Sequence, residues 1–169
     1  MREPTDARAE LYARLEGAKG QWSDQQFKTF AVMCYRTIEP FLSDEAEAAV
    51  SWVGSDLLGQ EAEASFERVL EALRWDTIDP DAGSADENRF SLEVLKLLED
   101  TPLEAAKAAV AAVSVAADLQ VLYARAQVED SQTQQKEAIS EFHKRLALSQ
   151  IIGLLEKINA GISYENLLP

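Results

Sequence analysis

The chain has 169 residues, a net charge of −14 and one cysteine, and 47% of its residues are apolar. This length fits a single domain over residues 1–169, and the apolar fraction excludes a disordered chain. One cysteine excludes an intramolecular disulfide, and no uninterrupted apolar run of about 18 residues is present that would span a membrane. We therefore expect a cytoplasmic protein, and the abundance of Ala, Leu and Glu favours helices.

The first two predicted helices are separated by glycines. The first covers about residues 6–16, with Leu11 and Leu15 facing inward. The second has a clear start signal, because Ser23 and Gln26 match a capping box in which each side chain bonds the other residue's backbone N–H. Apolar residues at helical spacing predict its inward side: Phe27, Phe30, Ala31, Cys34, Ile38 and Phe41.

Two further helices are predicted in the middle of the chain. Pro40 is expected to end helix two near Glu39, and helix three starts after Ser43. Gly59 ends helix three, and helix four then extends to about Trp75. The predicted inward stripes are Ala46, Ala49, Val50, Val53 and Leu57 in helix three, and Ala62, Phe66, Val69, Leu70 and Leu73 in helix four.

After an irregular connection at 76–84, two more capping boxes open helices five and six, namely Ser84 with Glu87 and Thr101 with Glu104. Residues 103–152 contain no Gly or Pro. We expect a turn within 129–137, with one long helix as the alternative. Helix six is apolar on nearly all sides, which predicts a position at the centre of the fold.

Helix seven follows and ends at Gly161 in a Schellman motif. The predicted fold is an all-α, single-domain bundle of six or seven helices with a buried Ala-rich central helix.

Catalytic machinery is not expected. A Cys34–His143 nucleophile pair is conceivable, but Cys34 lies on the apolar stripe of helix two, where thiols usually pack. A single His and a single Cys exclude a zinc site made from Cys and His alone, and the Glu-x-x-His pairs of a di-iron bundle are absent. The EF-hand spacing fails in the acidic segment after Asp76. We therefore expect no catalytic residues, no cofactor and no metal.

The negative charge is concentrated in the middle of the chain. Residues 44–104 contain 17 acidic and 4 basic residues, a net charge of 4 − 17 = −13. Such a region attracts a basic partner and disfavours nucleic-acid backbones, although a merely solvated surface is the alternative. The predicted partner-binding residues are Glu61, Glu63, Glu67 and Glu71 on helix four, together with Asp76, Asp79, Asp81, Asp86 and Glu87 in and after the connection.

The stretches 21–24 (Gln-Trp-Ser-Asp) and 30–41 resemble the opening of a family of small helical immunity proteins encoded beside bacterial polymorphic toxins. The shared pattern is a Trp-Ser-Asp cap followed by an Ala-rich helix with a Cys, an Arg and a Pro near its end. The segments 105–117 and 151–153 echo the family's second half. The resemblance implies a non-enzymatic inhibitor that binds a cognate toxin and covers its active site.

A basic toxin would suit the acidic middle of the chain. A structural or regulatory helical adaptor is the alternative, including a homodimer formed through the apolar helices near the C-terminus. An acidic nucleic-acid mimic is a third class.

Overall fold

The computed structural model describes the backbone of residues 4–62, 64–78, 85–126, 147 and 149–168, and the side chains of residues 8–62, 64–78, 90–120, 147 and 149–168. Helices dominate these parts, and no strand occurs in them apart from one isolated bridge. The helices are α1 (Pro4–Ala18), α2 (Asp24–Arg36), α3 (Asp44–Leu57), α4 (Phe66–Ile78), α5 (Ala85–Glu99), α6 (Pro102–Ala126), α7 (149–159) and α8 (Tyr164–Leu167), with a 3₁₀ turn at Glu39–Phe41. The predicted all-α fold is confirmed.

The predicted start of α2 is confirmed in detail. The Ser23 hydroxyl accepts from the Gln26 N–H at 3.2 Å, and the Gln26 side chain accepts from the Ser23 N–H at 2.8 Å. Trp22 and Phe27 pack across this cap with ring centroids 5.2 Å apart. The helix ends at Arg36, earlier than predicted, because the Thr37 hydroxyl and N–H both bond carbonyls of the last turn.

The Ala-rich helix α6 forms the centre of the fold, as predicted. It begins at Pro102 with Thr101 as its cap, since the Thr101 hydroxyl accepts from the Glu104 N–H at 3.4 Å. It packs against α1, α2 and α5. Its buried residues within the described side chains are small: Ala105, Ala106, Ala108, Ala109, Val110, Ala112, Val113, Ala116 and Ala117. Small side chains allow the neighbouring helices to approach closely and still fill the interior.

The end of α7 confirms the Schellman motif. Gly161 has a φ of +87°, the Ile162 N–H donates to the Lys157 carbonyl at 3.2 Å, and the Gly161 N–H donates to the Ile158 carbonyl at 2.9 Å. Ile151, Leu155 and Ile158 are buried in the hydrophobic core. The predicted turn at 129–137 and the cap at Ser84 lie outside the described residues.

The C-terminal helix α8 was not predicted, and it packs onto α2 and α3 through Tyr164. This side chain is buried, and its hydroxyl accepts from Arg36 Nε at 2.9 Å. Gly54, in the middle of α3, leaves the space for it, because a Cβ at this position would lie 2.6 Å from the Tyr164 hydroxyl oxygen. A glycine that weakens α3 by its own propensity is therefore used for a close tertiary contact.

Candidate functional site

A buried polar cluster connects the helices of the acidic middle region. The Ser43 hydroxyl caps α3 by accepting from the Ala46 N–H at 3.1 Å, and it donates to Asp76 Oδ2 at 2.7 Å. The Ser91 hydroxyl donates to the same carboxylate oxygen. Asp76 is only 4% exposed. One carboxylate thus joins the start of α3, the last turns of α4 and the middle of α5.

The outer surface of α4 carries two large apolar side chains. Trp75 is 63% exposed and Ile78 is 70% exposed. Glu67, Glu71, Trp75 and Ile78 follow one another at spacings of four, four and three, so they lie on one side of the helix, and both glutamates are exposed. Exposed apolar residues within a polar surround are typical of protein-binding sites. We call these four residues the α4 face.

A third exposed apolar residue belongs to the same region. Leu92 of α5 is 50% exposed. Leu92 directly follows Ser91 in α5, and Trp75 directly precedes Asp76 in α4. The hydrogen bond between Ser91 and Asp76 therefore brings these two segments of α4 and α5 together. The first turn of α3, which follows Ser43 at the same cluster, carries three exposed acids, Asp44, Glu45 and Glu47. The buried cluster thus joins the segments that carry exposed apolar and exposed acidic side chains.

The structure changes the predicted set of partner-binding residues. Asp76 is buried and hydrogen-bonded, so its predicted place in an exposed docking surface is wrong. Glu61 is exposed but precedes α4, because that helix begins only at Phe66. Glu67 and Glu71 are exposed on one side of α4, and their role in partner binding stays a prediction. The remaining predicted side chains, those of Glu63, Asp79, Asp81, Asp86 and Glu87, lie outside the described residues.

The predicted inward stripe of α4 also changes at its start. Ala62 is exposed and lies outside the helix, whereas Val69 and Leu73 are buried as predicted.

Two arginines reduce the net negative charge of α4. Arg68 is exposed beside the glutamates, and Arg74 is paired with Glu99. The outer surface of α4 is therefore mixed in charge with apolar residues at its C-terminal end, and it is not the purely acidic row that the sequence suggested.

The sequence contains a signal for the α4 face. Trp75 and Ile78 continue the spacing of Glu67 and Glu71, and this places them opposite Val69 and Leu73 on the helix. Among the predicted elements, Trp75 marks only the end of helix four. An apolar pair in line with exposed glutamates predicts an exposed apolar surface.

The single cysteine has the properties of a packed thiol. Cys34 is fully buried, and burial raises the pKa of its thiol. His143 lies outside the described residues, so a contact between the two is not described.

In the parts of the chain that the structure describes, no group of three or more His, Cys, Asp and Glu side chains is arranged to hold a metal ion. No described helix is both long enough and apolar enough to cross a membrane.

Comparison with known proteins gives no match: no family model, no curated protein and no solved structure matches the chain.

Proposed function

We propose that this protein is a non-enzymatic protein-binding domain that docks a basic protein through the α4 face, in the manner of an immunity-type inhibitor. The observation that carries the proposal is the exposure of Trp75 and Ile78 on the same side of α4 as Glu67 and Glu71. Tryptophan is enriched among the residues that dominate binding energy at interfaces. Burial of both side chains by a partner would remove apolar surface that is now in contact with water.

The charge of the region supports a basic partner. Residues 44–104 contribute −13 of the net charge of −14. Electrostatic attraction between this region and a basic partner acts over about a Debye length, and it raises the association rate. The same charge repels acidic competitors. The α4 face combines two exposed apolar side chains with two exposed glutamates, and an apolar centre bordered by polar residues is typical of protein interfaces.

A paired capture experiment tests the proposal. The native chain and its Trp75→Ser/Ile78→Ser variant are immobilised side by side and exposed to extract from the source cells. We expect the native chain to retain a basic protein that elutes with increasing salt and that the variant does not retain. Ile162→Ser is the matched control, because Ile162 is also exposed, at 37%, but lies between α7 and α8. Circular dichroism verifies that each variant is folded.

The outcome also separates the immunity-type role from the adaptor. If the retained protein is a toxin encoded beside this chain, co-expression of the native chain should protect the cell, and the double variant should not. A stable homodimer that the double variant dissolves, with no second protein retained, would favour the adaptor. Equal retention by the native chain and the variant would remove the α4 face as the docking site.

A further inference from the structure

A cleft of about 350 Å³ lies between the end of α3 and the start of α4. Its volume lies within the range of roughly 300–1,000 Å³ that is usual for ligand pockets. Its lining includes the rings of Trp52 and Phe66 and the carboxylates of Asp56 and Glu61. It therefore combines an aromatic wall with two carboxylates, and no Lys or Arg is among its described lining residues.

The aromatic wall is held in a fixed position. Trp52 Nε1 donates to the Ala64 carbonyl at 3.1 Å, and the rings of Trp52 and Phe66 pack with centroids 5.2 Å apart. Both rings are half-buried. The faces of such rings attract cations, and the interaction is strongest for tryptophan. The same chain already uses this contact internally, where the Arg36 guanidinium lies 5.8 Å from the centroid of the Tyr164 ring.

The two carboxylates favour a cation in the same place. Asp56 and Glu61 are exposed, and neither side chain forms an ion pair within the described part of the chain. Asp56 also lies in the last turn of α3, where the negative end of the helix disfavours a carboxylate. A cation bound beside the carboxylate and the carbonyl end of the helix would offset this local cost.

We infer that this cleft binds a guanidinium group, namely an arginine side chain of the basic partner, stacked against the Trp52 wall and paired with Asp56 and Glu61. The inference rests on the proposed function for the identity of the partner. Arginine fits this cleft better than lysine does, because its planar guanidinium both stacks on aromatic rings and pairs with carboxylates through two N–H groups. The cleft opens beside the N-terminal end of α4, and Trp75 lies nine residues further on, about 14 Å along the helix axis.

The test uses small probes on the intact chain. N-acetyl-arginine amide is titrated while amide and indole signals are followed by NMR, and N-acetyl-citrulline amide, which has a similar shape and no charge, is the control probe. We expect saturable shifts at Trp52 and at residues 56–66 with the arginine probe only. Asp56→Asn/Glu61→Gln should weaken this binding about fivefold or more, the effect of roughly 1 kcal/mol of ion pairing.

A matched variant and a second readout make the test decisive. Glu45→Gln/Glu47→Gln removes the same charge from exposed positions in the first turn of the same helix, and it should change the affinity for the probe much less. Equal binding of citrulline, shifts spread over the surface, or an equal loss in this matched variant would overturn the inference. Trp75→Ser/Ile78→Ser should leave arginine binding intact. Failure of the arginine titration thus removes the cleft alone, whereas failure of paired capture removes the proposed function.

Discussion

Replacement of Gly54 by alanine tests the packing of the C-terminal helix. Gly54 lies in the middle of α3, where an alanine would normally stabilise the helix by about 1 kcal/mol. Here the new Cβ would lie 2.6 Å from the Tyr164 hydroxyl oxygen and 3.4 Å from Tyr164 Cζ. The hydroxyl must move by several tenths of an ångström, and Tyr164 cannot do this freely because it is buried and bonded to Arg36.

The expected magnitude combines three contributions. Overpacking costs about 2 kcal/mol, and loss of the hydrogen bond from Arg36 costs about 1 kcal/mol more. The higher helix propensity of alanine offsets about 1 kcal/mol of this loss in stability. We therefore expect Gly54→Ala to lower the free energy of unfolding by about 2 kcal/mol. Tyr164→Phe removes the clashing oxygen, so Gly54→Ala in that background should be neutral or slightly stabilising.

Equilibrium unfolding in urea, followed by circular dichroism, measures all four members of this cycle. A coupling of about 2–3 kcal/mol between the two positions is expected. Gly153→Ala is the control, because Gly153 also lies inside a helix and an added Cβ there meets no atom within 4 Å. It should stabilise the protein in either background. If Gly54→Ala stabilises the native chain as much as Gly153→Ala does, the reasoning about Tyr164 is wrong.

Four further predictions concern buried or paired polar groups. Tyr35→Phe should raise the unfolding free energy by about 1–2 kcal/mol, because the buried Tyr35 hydroxyl has no hydrogen-bond partner among the described residues; a loss in urea unfolding would contradict this. Asp76→Ala should lower the same quantity by about 3 kcal/mol, since two buried serine hydroxyls lose their acceptor. Cys34 should react with a thiol reagent only at the rate of unfolding, because the thiol is buried and burial raises its pKa; fast labelling of the native protein would refute this. The hydrogen bond from Lys107 lowers the pKa of Glu16 in the folded protein. The stability contributed by this pair should therefore be present above the pKa of an unfolded glutamate, and it should be lost as pH falls through the lower folded pKa. Glu16→Gln should lower the melting temperature at pH 7 and not at pH 2.

The sequence predicted the parts of the fold that depend on local physics. The capping box at Ser23 and the Schellman motif at Gly161 each involve residues within six positions of one another, so their chemistry can be read directly from the chain. The central position of α6 follows from its composition, because a helix that is apolar on nearly all sides must be covered on nearly all sides. These predictions needed no knowledge of distant contacts.

The contacts that the sequence did not predict join residues far apart in the chain. Tyr164 meets Arg36 and Gly54 across 128 and 110 positions, and no local pattern links these residues. Asp76 illustrates the same limit. As one acid in a run of acids it indicated a solvated surface, yet the serine hydroxyls of Ser43 and Ser91 allow it to be buried. A charge count cannot distinguish a carboxylate with buried partners from one in water.

Under the proposed function, the burial of Asp76 also changes how the acidic region would act on a partner. The burial removes one carboxylate from the surface, and its hydrogen bonds fix α4 against α3 and α5. The backbone of Trp75, which directly precedes Asp76, is thereby held in place. A rigid apolar residue binds at a lower entropic cost than a mobile one. In the proposed function, the exposed acids around it would be screened by water and salt, so they would contribute mainly to the rate of encounter with a basic partner. Long-range attraction and short-range affinity for the proposed partner would therefore depend on different side chains, and the buried carboxylate of Asp76 fixes the helices that carry them.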